Sequence, residues 1–293
     1  MKIAVMPPAR PGVTSDPQWV TAYAQHAERC GFEAFVAIEH PLMVSTYSTP
    51  YPYNETGRVP LPDDTPIPDP VDLLAFVAGA TATLGLCTGV LILPAHQPVT
   101  MAKRLATVDA LSGGRLRVCI GLGWMREELE ACGTDFASRG RKADEMIDAM
   151  RVLWAEHGSD GASFEGEFVS FAHAHSYPKP AQRGGIPIHV GGTTPASMRR
   201  AASRGDGWQP LGIGGDELRS AIVEMRKQVE AAGRDPDAFE ITVSGVAPRI
   251  TMETLEKSAA MGIDRLIASA VAVELDEALE ELSELAGRVG LSS

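Results

Sequence analysis

The chain has 293 residues, with 26 Lys and Arg against 38 Asp and Glu, a formal net charge of −12. An acidic surface repels phosphate backbones and anionic lipid, so nucleic-acid and membrane-surface functions are disfavoured. A composition of 44% hydrophobic and 22% charged residues suits a folded protein rather than a disordered one. No apolar run approaches the roughly 20 residues of a membrane helix. The first apolar stretch, residues 1–6, meets Pro7 and Pro8 before a signal-peptide core could form. Four scattered cysteines (Cys30, Cys87, Cys119, Cys132) include no CxxC pair. A reduced, cytoplasmic protein that uses cysteine as a small apolar residue is expected.

In chain order, short apolar runs suggest strands at 3–6, 34–38, 84–93, 116–122, 186–190, 207–211, 241–246 and 265–268. They are continuous rather than alternating, as strands buried on both faces are. Helical patterns lie between them. Residues 98–111 end at Ser112-Gly113-Gly114, a helix stop. Residues 143–154 carry an apolar stripe at Ala143, Met146, Ile147, Met150, Leu153 and Trp154. Residues 218–232 and 275–289 repeat apolar positions every three or four residues. Eight strands alternating with helices predict a right-handed parallel sheet. At this length the expectation is one (β/α)8 TIM barrel over 1–293, since such barrels run to ~250 residues.

Two stretches exceed ordinary connection length. Residues 41–70 follow the second strand and hold eight prolines and three tyrosines, Tyr47, Tyr51 and Tyr53. Loops after barrel strands lie on the face that carries the active site, so this segment is a candidate lid. Residues 158–185 precede the fifth strand and contain Phe164, Phe168, Phe171 and Tyr177.

Four motifs fall at strand ends. Glu39-His40 follows the second strand, where an imidazole that titrates near neutrality can move protons. Thr88-Gly89-Val90 lies within the third, and a strand glycine often marks a bulge or a close ligand approach. Gly121-Leu122-Gly123-Trp124 ends the fourth; Arg126 replaces the third glycine of a dinucleotide fingerprint, but two bare backbone positions beside an indole suit a flat ring. Gly191-Gly192-Thr193-Thr194 joins the fifth strand to a helix starting near Pro195, where free N–H groups attract an anion such as phosphate. Arg199 and Arg200, one turn on, are expected to be solvated. His173 and His175 have metal-pair spacing, but no carboxylate or cysteine cluster accompanies them. Glu127 and Glu128 read as helix-start carboxylates favoured by the dipole.

Together, residues 88–94, residues 102–115, Gly121-Leu122-Gly123-Trp124, Val190-Gly191-Gly192-Thr193-Thr194 and Gly205-Asp206-Gly207-Trp208 resemble the luciferase-like monooxygenase superfamily. The resemblance spans nearly the whole chain. It is strongest to the branch that uses the deazaflavin coenzyme F420, common in actinobacteria. It implies a barrel with the cofactor at its mouth, held by Glu39, His40, Thr88, Gly89, Val90, Gly121, Gly123, Trp124 and the phosphate loop Gly191, Gly192, Thr193 and Thr194. It further implies a bulge with a non-prolyl cis peptide at Gly89–Val90, His40 as acid/base, and Glu39 orienting His40 or bonding the ring edge. Sugar-phosphate dehydrogenases of the superfamily carry a catalytic Glu where this chain has Trp124-Met125-Arg126. The implied activity is hydride transfer between F420 and a small organic substrate. The alternatives are an FMN-dependent monooxygenase served by a separate reductase, a metal-dependent barrel hydrolase using His173, His175 or His189, and a non-catalytic barrel. Homodimers are common in the superfamily, so a homodimer is an expected assembly.

Overall fold

A computed structural model describes residues 1–291. Ten strands form: β1 (Lys2–Met6), β2 (Ala34–Ala37), β3 (Gly85–Ile92), β4 (Leu116–Gly121), β5 (Ala162–Glu165), β6 (Ser170–Ala174), β7 (Ile188–Gly191), β8 (Gly207–Gln209), β9 (Glu240–Val246) and β10 (Arg265–Ser269). Among the described residues there are nine α-helices: α1 (Pro17–Arg29), α2 (Pro70–Ala80), α3 (Pro98–Leu111), α4 (Arg126–Ala131), α5 (Arg139–Trp154), α6 (Pro195–Arg204), α7 (Gly215–Ala231), α8 (Met252–Ala260) and α9 (Leu275–Arg288). Eight of the strands close a parallel barrel in the order β1-β10-β9-β8-β7-β4-β3-β2. All eight expected strands are present, shifted by up to two residues at their ends. β3 stops at Ile92 because Pro94 turns Leu93–Ala95 into a 3-10 turn.

Helix starts are set by local chemistry. α1, α2, α3 and α6 each begin on proline, whose missing N–H is no loss in a first turn. Each is capped by a side chain: Asp16, Asp69, Gln97 and Thr194 accept hydrogen bonds from first-turn amides. The stretch 158–185 is not a plain loop. It folds as an antiparallel β5–β6 hairpin in which Phe164 and Phe171 stack at 5.9 Å. The Glu145 carboxylate on α5 clasps it, accepting from the amides of Glu167 (2.9 Å), Phe168 (2.7 Å) and Val169 (2.6 Å).

The barrel interior is built mostly from small and β-branched residues, among them Ala4, Ala34, Val36, Cys87, Cys119 and Ile267. Cys87 and Cys119 are buried free thiols, in the apolar role expected of them. The end from which the strands start is closed by charge. Buried Arg265 donates to Glu33 (3.0 Å) and Glu240 (2.8 Å), Arg117 donates to Glu33 (2.8 Å), and His189 lies 3.4 Å from Glu240. This plug leaves the opposite end, where the strands finish, as the open mouth. No helix among the described residues is long and apolar enough to cross a membrane.

Candidate active site

The mouth holds a cavity of about 680 Å³. Its lining draws on the ends of β2 (Glu39, His40), β3 (Gly89, Val90), β4 (Gly121, Gly123, Trp124) and β7 (Gly191 to Thr194), and on the 41–70 segment. Parallel strands end at one level, so motifs up to about 150 residues apart in sequence meet there.

The floor is made flat by glycine. The Gly89–Val90 peptide is cis, and the β3–β4 register shifts between Gly89 and Leu91, as the resemblance implied. A Cβ on Gly89 would stand 2.5 Å from Val36 Cγ1, and one on Gly121 2.6 Å from Val90 Cγ2. One on Gly191 would stand 3.1 Å from Val90 Cγ1. A side chain at Gly121 or Gly191 would press on Val90, and one at Gly89 would press on Val36. The cradle fits a planar ring lying on bare backbone. Thr88 does not take part as expected. Its side chain is wholly buried and donates to the Cys119 carbonyl at 2.7 Å, so it ties β3 to β4 beneath the floor.

Glu39 takes a part other than orienting His40. The Glu39 carboxylate accepts from the Ile92 amide and meets His96 Nε2 at 2.7 Å. Both oxygens are spent pinning the end of β3, so Glu39 does not orient His40. That task falls to Glu128, on α4, whose Oε1 is 3.0 Å from His40 Nδ1. Glu128 is fully buried, and its Oε2 has no partner among the described residues. A carboxylate on Nδ1 fixes the imidazole's orientation and leaves Nε2 for the cavity. Glu128 therefore does more than favour a helix dipole. Its neighbour Glu127 faces the other way and accepts from the Ser48 amide at 2.8 Å, fastening the 41–70 segment.

That segment crosses the mouth. Tyr47 and Tyr51 pack edge-on against Trp124, with centroids 4.9 and 5.2 Å away, and Tyr53 packs edge-on against Tyr51 at 5.3 Å. At the far rim Tyr53 Cδ1 lies 3.4 Å from where a Cβ on Gly212 would be. The chain between β2 and α2 thus bridges to the loops after β4 and β8.

Two helices, α6 and α5, start at the cavity wall. Thr194 caps α6, its hydroxyl accepting from the Ser197 amide at 3.2 Å, and Thr193, Thr194 and Ser197 line the wall. Gly192 turns the chain with φ +101°, a conformation natural only to glycine. Arg139, the first residue of α5, lines the same wall and lies 3.6 Å over the Phe136 ring. Its Nε is buried without a partner among the described residues. Burial, then the charges of Arg126 and Arg200, hold its pKa below the usual arginine value. An anion beside it would relieve both effects. Arg200 is not solvated as expected. It is buried and paired with Asp144, with the Gly140 carbonyl as a further acceptor at 3.1 Å. Sequence reading missed Arg139, although Arg139, Arg141 and Lys142 put three cations at the positive end of one helix. That unfavourable pattern was the available signal.

The sequence profile described as luciferase-like monooxygenase matches residues 1–288. The chain belongs to the luciferase-like monooxygenase family. An uncharacterized protein of Mycobacterium tuberculosis is 31% identical to this family member over 275 residues, 92% of this chain and 93% of its own. An FMNH(2)-dependent dimethylsulfone monooxygenase of Pseudomonas putida is 31% identical over 139 residues, 46% of this chain and 38% of its own. An F420-dependent secondary alcohol dehydrogenase, solved with an F420-acetone adduct, superposes with a TM-score of 0.76. At 17% identity over 98% of both chains, that likeness shows the shared fold. The histidines of the hydrolase alternative are not gathered at the mouth. His189 sits in the charged plug and His173 on the β6 hairpin, and no group of three or more metal-ligating side chains occurs among the described residues.

Proposed function

We propose that this luciferase-like protein transfers a hydride between coenzyme F420 and a small organic substrate. The observation that carries the reading is the convergence, in one cavity, of a side-chain-free floor, an anion-attracting wall and the Glu128-held His40. When bound, the deazaflavin supplies the hydride acceptor or donor. Gly89, Val90, Gly121, Gly123 and Gly191 would receive its ring. Gly192, Thr193, Thr194 and Arg139 would hold its anionic tail. His40 Nε2 takes or gives the proton that must accompany the hydride, and Glu128 keeps Nε2 aimed. The lid segment excludes water from the mouth. The F420-dependent alcohol dehydrogenase of the same fold supports this choice of cofactor.

The similarity to the FMNH(2)-dependent dimethylsulfone monooxygenase favours a second reading, FMN chemistry with a separate reductase. Titrating the protein with F420 and with FMN, each followed by cofactor fluorescence, separates the two. Tighter F420 binding with substrate-dependent reduction or oxidation of F420 is expected. Preferred FMN binding with oxygen consumption would replace the first reading by the second. His40→Ala is expected to lower turnover by about 10²- to 10⁴-fold, the usual range for a general acid–base, with cofactor affinity little changed. Unaltered turnover removes His40 from the mechanism.

A further inference from the structure

The 41–70 segment sorts its residues by chemistry. Its charged side chains, Glu55, Arg58, Asp63, Asp64 and Asp69, all stay off the cavity wall. Tyr51, Tyr53, Pro60 and Leu61 line it, joined by Trp124 from the loop after β4 and Leu211 from the loop after β8. Arg58 lies 5.0 Å over the Tyr47 ring and donates to the Ser45 carbonyl, so its charge is engaged outside the cavity. The charged groups that do line the cavity are accounted for elsewhere. Glu39 is held by Ile92 and His96, and Arg139 belongs to the anion-attracting wall. What remains on the lid side is an apolar, ring-lined half with few polar atoms. Tyr51 and Tyr53 bring their phenol rings to this half from the lid. Burial raises both phenol pKa values, so they stay neutral. His40 stands where this half meets the glycine floor.

We infer that the lid side of the cavity is a substrate subsite for an uncharged, ring-bearing organic molecule with one hydroxyl or carbonyl oxygen, which His40 Nε2 would meet. A carboxylate or phosphate would lose its hydration there with no cation on the lid to replace it. A flat or puckered ring would bury its faces against Tyr51, Tyr53 and Trp124, the side chains that give most contact at least entropic cost. The inference rests on the redox reading for assigning the glycine floor and the Arg139 wall to the cofactor.

Calorimetric titration of the protein tests it, without cofactor and with saturating F420. The probes are 1-tetralone and 1-tetralol, against 1-naphthoate and glucose 6-phosphate. With F420 filling the anion-attracting wall, the neutral pair should bind at least about tenfold tighter than either anion, a difference one desolvated charge easily produces. Tyr53→Leu and Tyr51→Leu should each weaken 1-tetralone by about three- to tenfold, the range of one aromatic contact. Both should leave F420 affinity within about twofold. Leu61→Glu, on the exposed lid and outside the barrel core, should abolish 1-tetralone binding while thermal melting stays near that of the parent chain. The subsite is refuted by three results: an anion bound as tightly as the neutral probes with F420 in place, 1-tetralone binding indifferent to all three substitutions, or no 1-tetralone binding in either state. Failure of the redox reading looks different. 1-Tetralol would then bind as expected and respond to Tyr53→Leu, yet F420 would not bind or not change its absorbance.

Discussion

His40 Nδ1 and Glu128 Oε1 meet at 3.0 Å although 88 residues separate them in sequence. The pair joins the end of β2 to α4, so the residue that precedes the lid is locked to the helix that follows β4. Glu128 is a positioning residue, acting through His40. Glu128→Gln keeps an acceptor for Nδ1 and loses the charge; Glu128→Ala loses both. Turnover should fall by about tenfold in the first and by about 10²-fold or more in the second, within the range of acid–base catalysis. Cofactor Kd should stay within about twofold, since no cofactor-facing backbone moves. A purely structural role predicts the reverse: parallel losses of turnover, affinity and thermal stability.

The glycine floor can be tested by adding one carbon. Gly121→Ala puts a methyl 2.6 Å from Val90 Cγ2, which must give way upward into the cavity. Cofactor affinity should fall at least about tenfold, while overpacking costs about 1–3 kcal/mol of stability. Gly79→Ala is the control. It lies in α2 with nothing within 4 Å of the new methyl. Its affinity should be unchanged and its Tm equal or slightly higher, because alanine restricts the unfolded chain. Equal affinities in the two variants would mean the ring does not rest on β4.

Arg139 should matter only to ligands with an anionic tail. Arg139→Met keeps an unbranched apolar side chain and removes the charge together with its guanidinium contact to Phe136. A charge-assisted contact is worth about 1.5–3 kcal/mol, so the F420 or FMN Kd should rise by about 10- to 100-fold. Riboflavin, which has the ring and no phosphate, should bind parent and variant alike. Equal losses for FMN and riboflavin would place the phosphate elsewhere.

The architecture was legible because it is repetitive. Continuous apolar runs such as 116–122 and stripes such as Met146-Ile147-Met150 each state their own period. The strand-end glycines were legible because bare backbone at a barrel mouth has few other uses. The partners were not. Nothing near Glu128 in sequence distinguishes it from Glu127, yet one turns inward to His40 and the other outward to Ser48. His96 likewise becomes the partner of Glu39 only once Pro94 turns the chain after β3. Thr88 was misassigned because strand position alone does not say whether a side chain faces the cavity or the neighbouring strand.

The charged plug at the closed end makes stability depend on acid. Burial alone would raise the Glu33 carboxyl, but its ion pairs and hydrogen bonds with Arg117 and Arg265 outweigh that and hold it below its usual value. The hydrogen bond from His189, with help from Arg265 and Lys2, depresses Glu240 strongly despite its burial. Carboxylates depressed in the folded state add stability above their unfolded pKa of about 4.3 and lose it as pH falls through the folded value. His189 is itself lowered, chiefly by burial. Its folded form accepts a proton less readily than the unfolded chain, so stability is complete above about pH 6.5 and declines below it. The three groups therefore act in the same direction. Scanning calorimetry should find Tm level between about pH 7 and 8, a first decline below about 6.5 and a steeper one below about 4.5. His189→Gln should shrink the first decline, leaving the smaller part due to the also-lowered His26, and keep the second. A Tm that holds or rises from pH 7 to 5 in the parent chain would show that His189 is not buried as a neutral ring. Arg265→Ala, which leaves Glu33 and Glu240 facing a vacated buried site, should cost about 3–5 kcal/mol at neutral pH and should become less damaging as the carboxylates protonate.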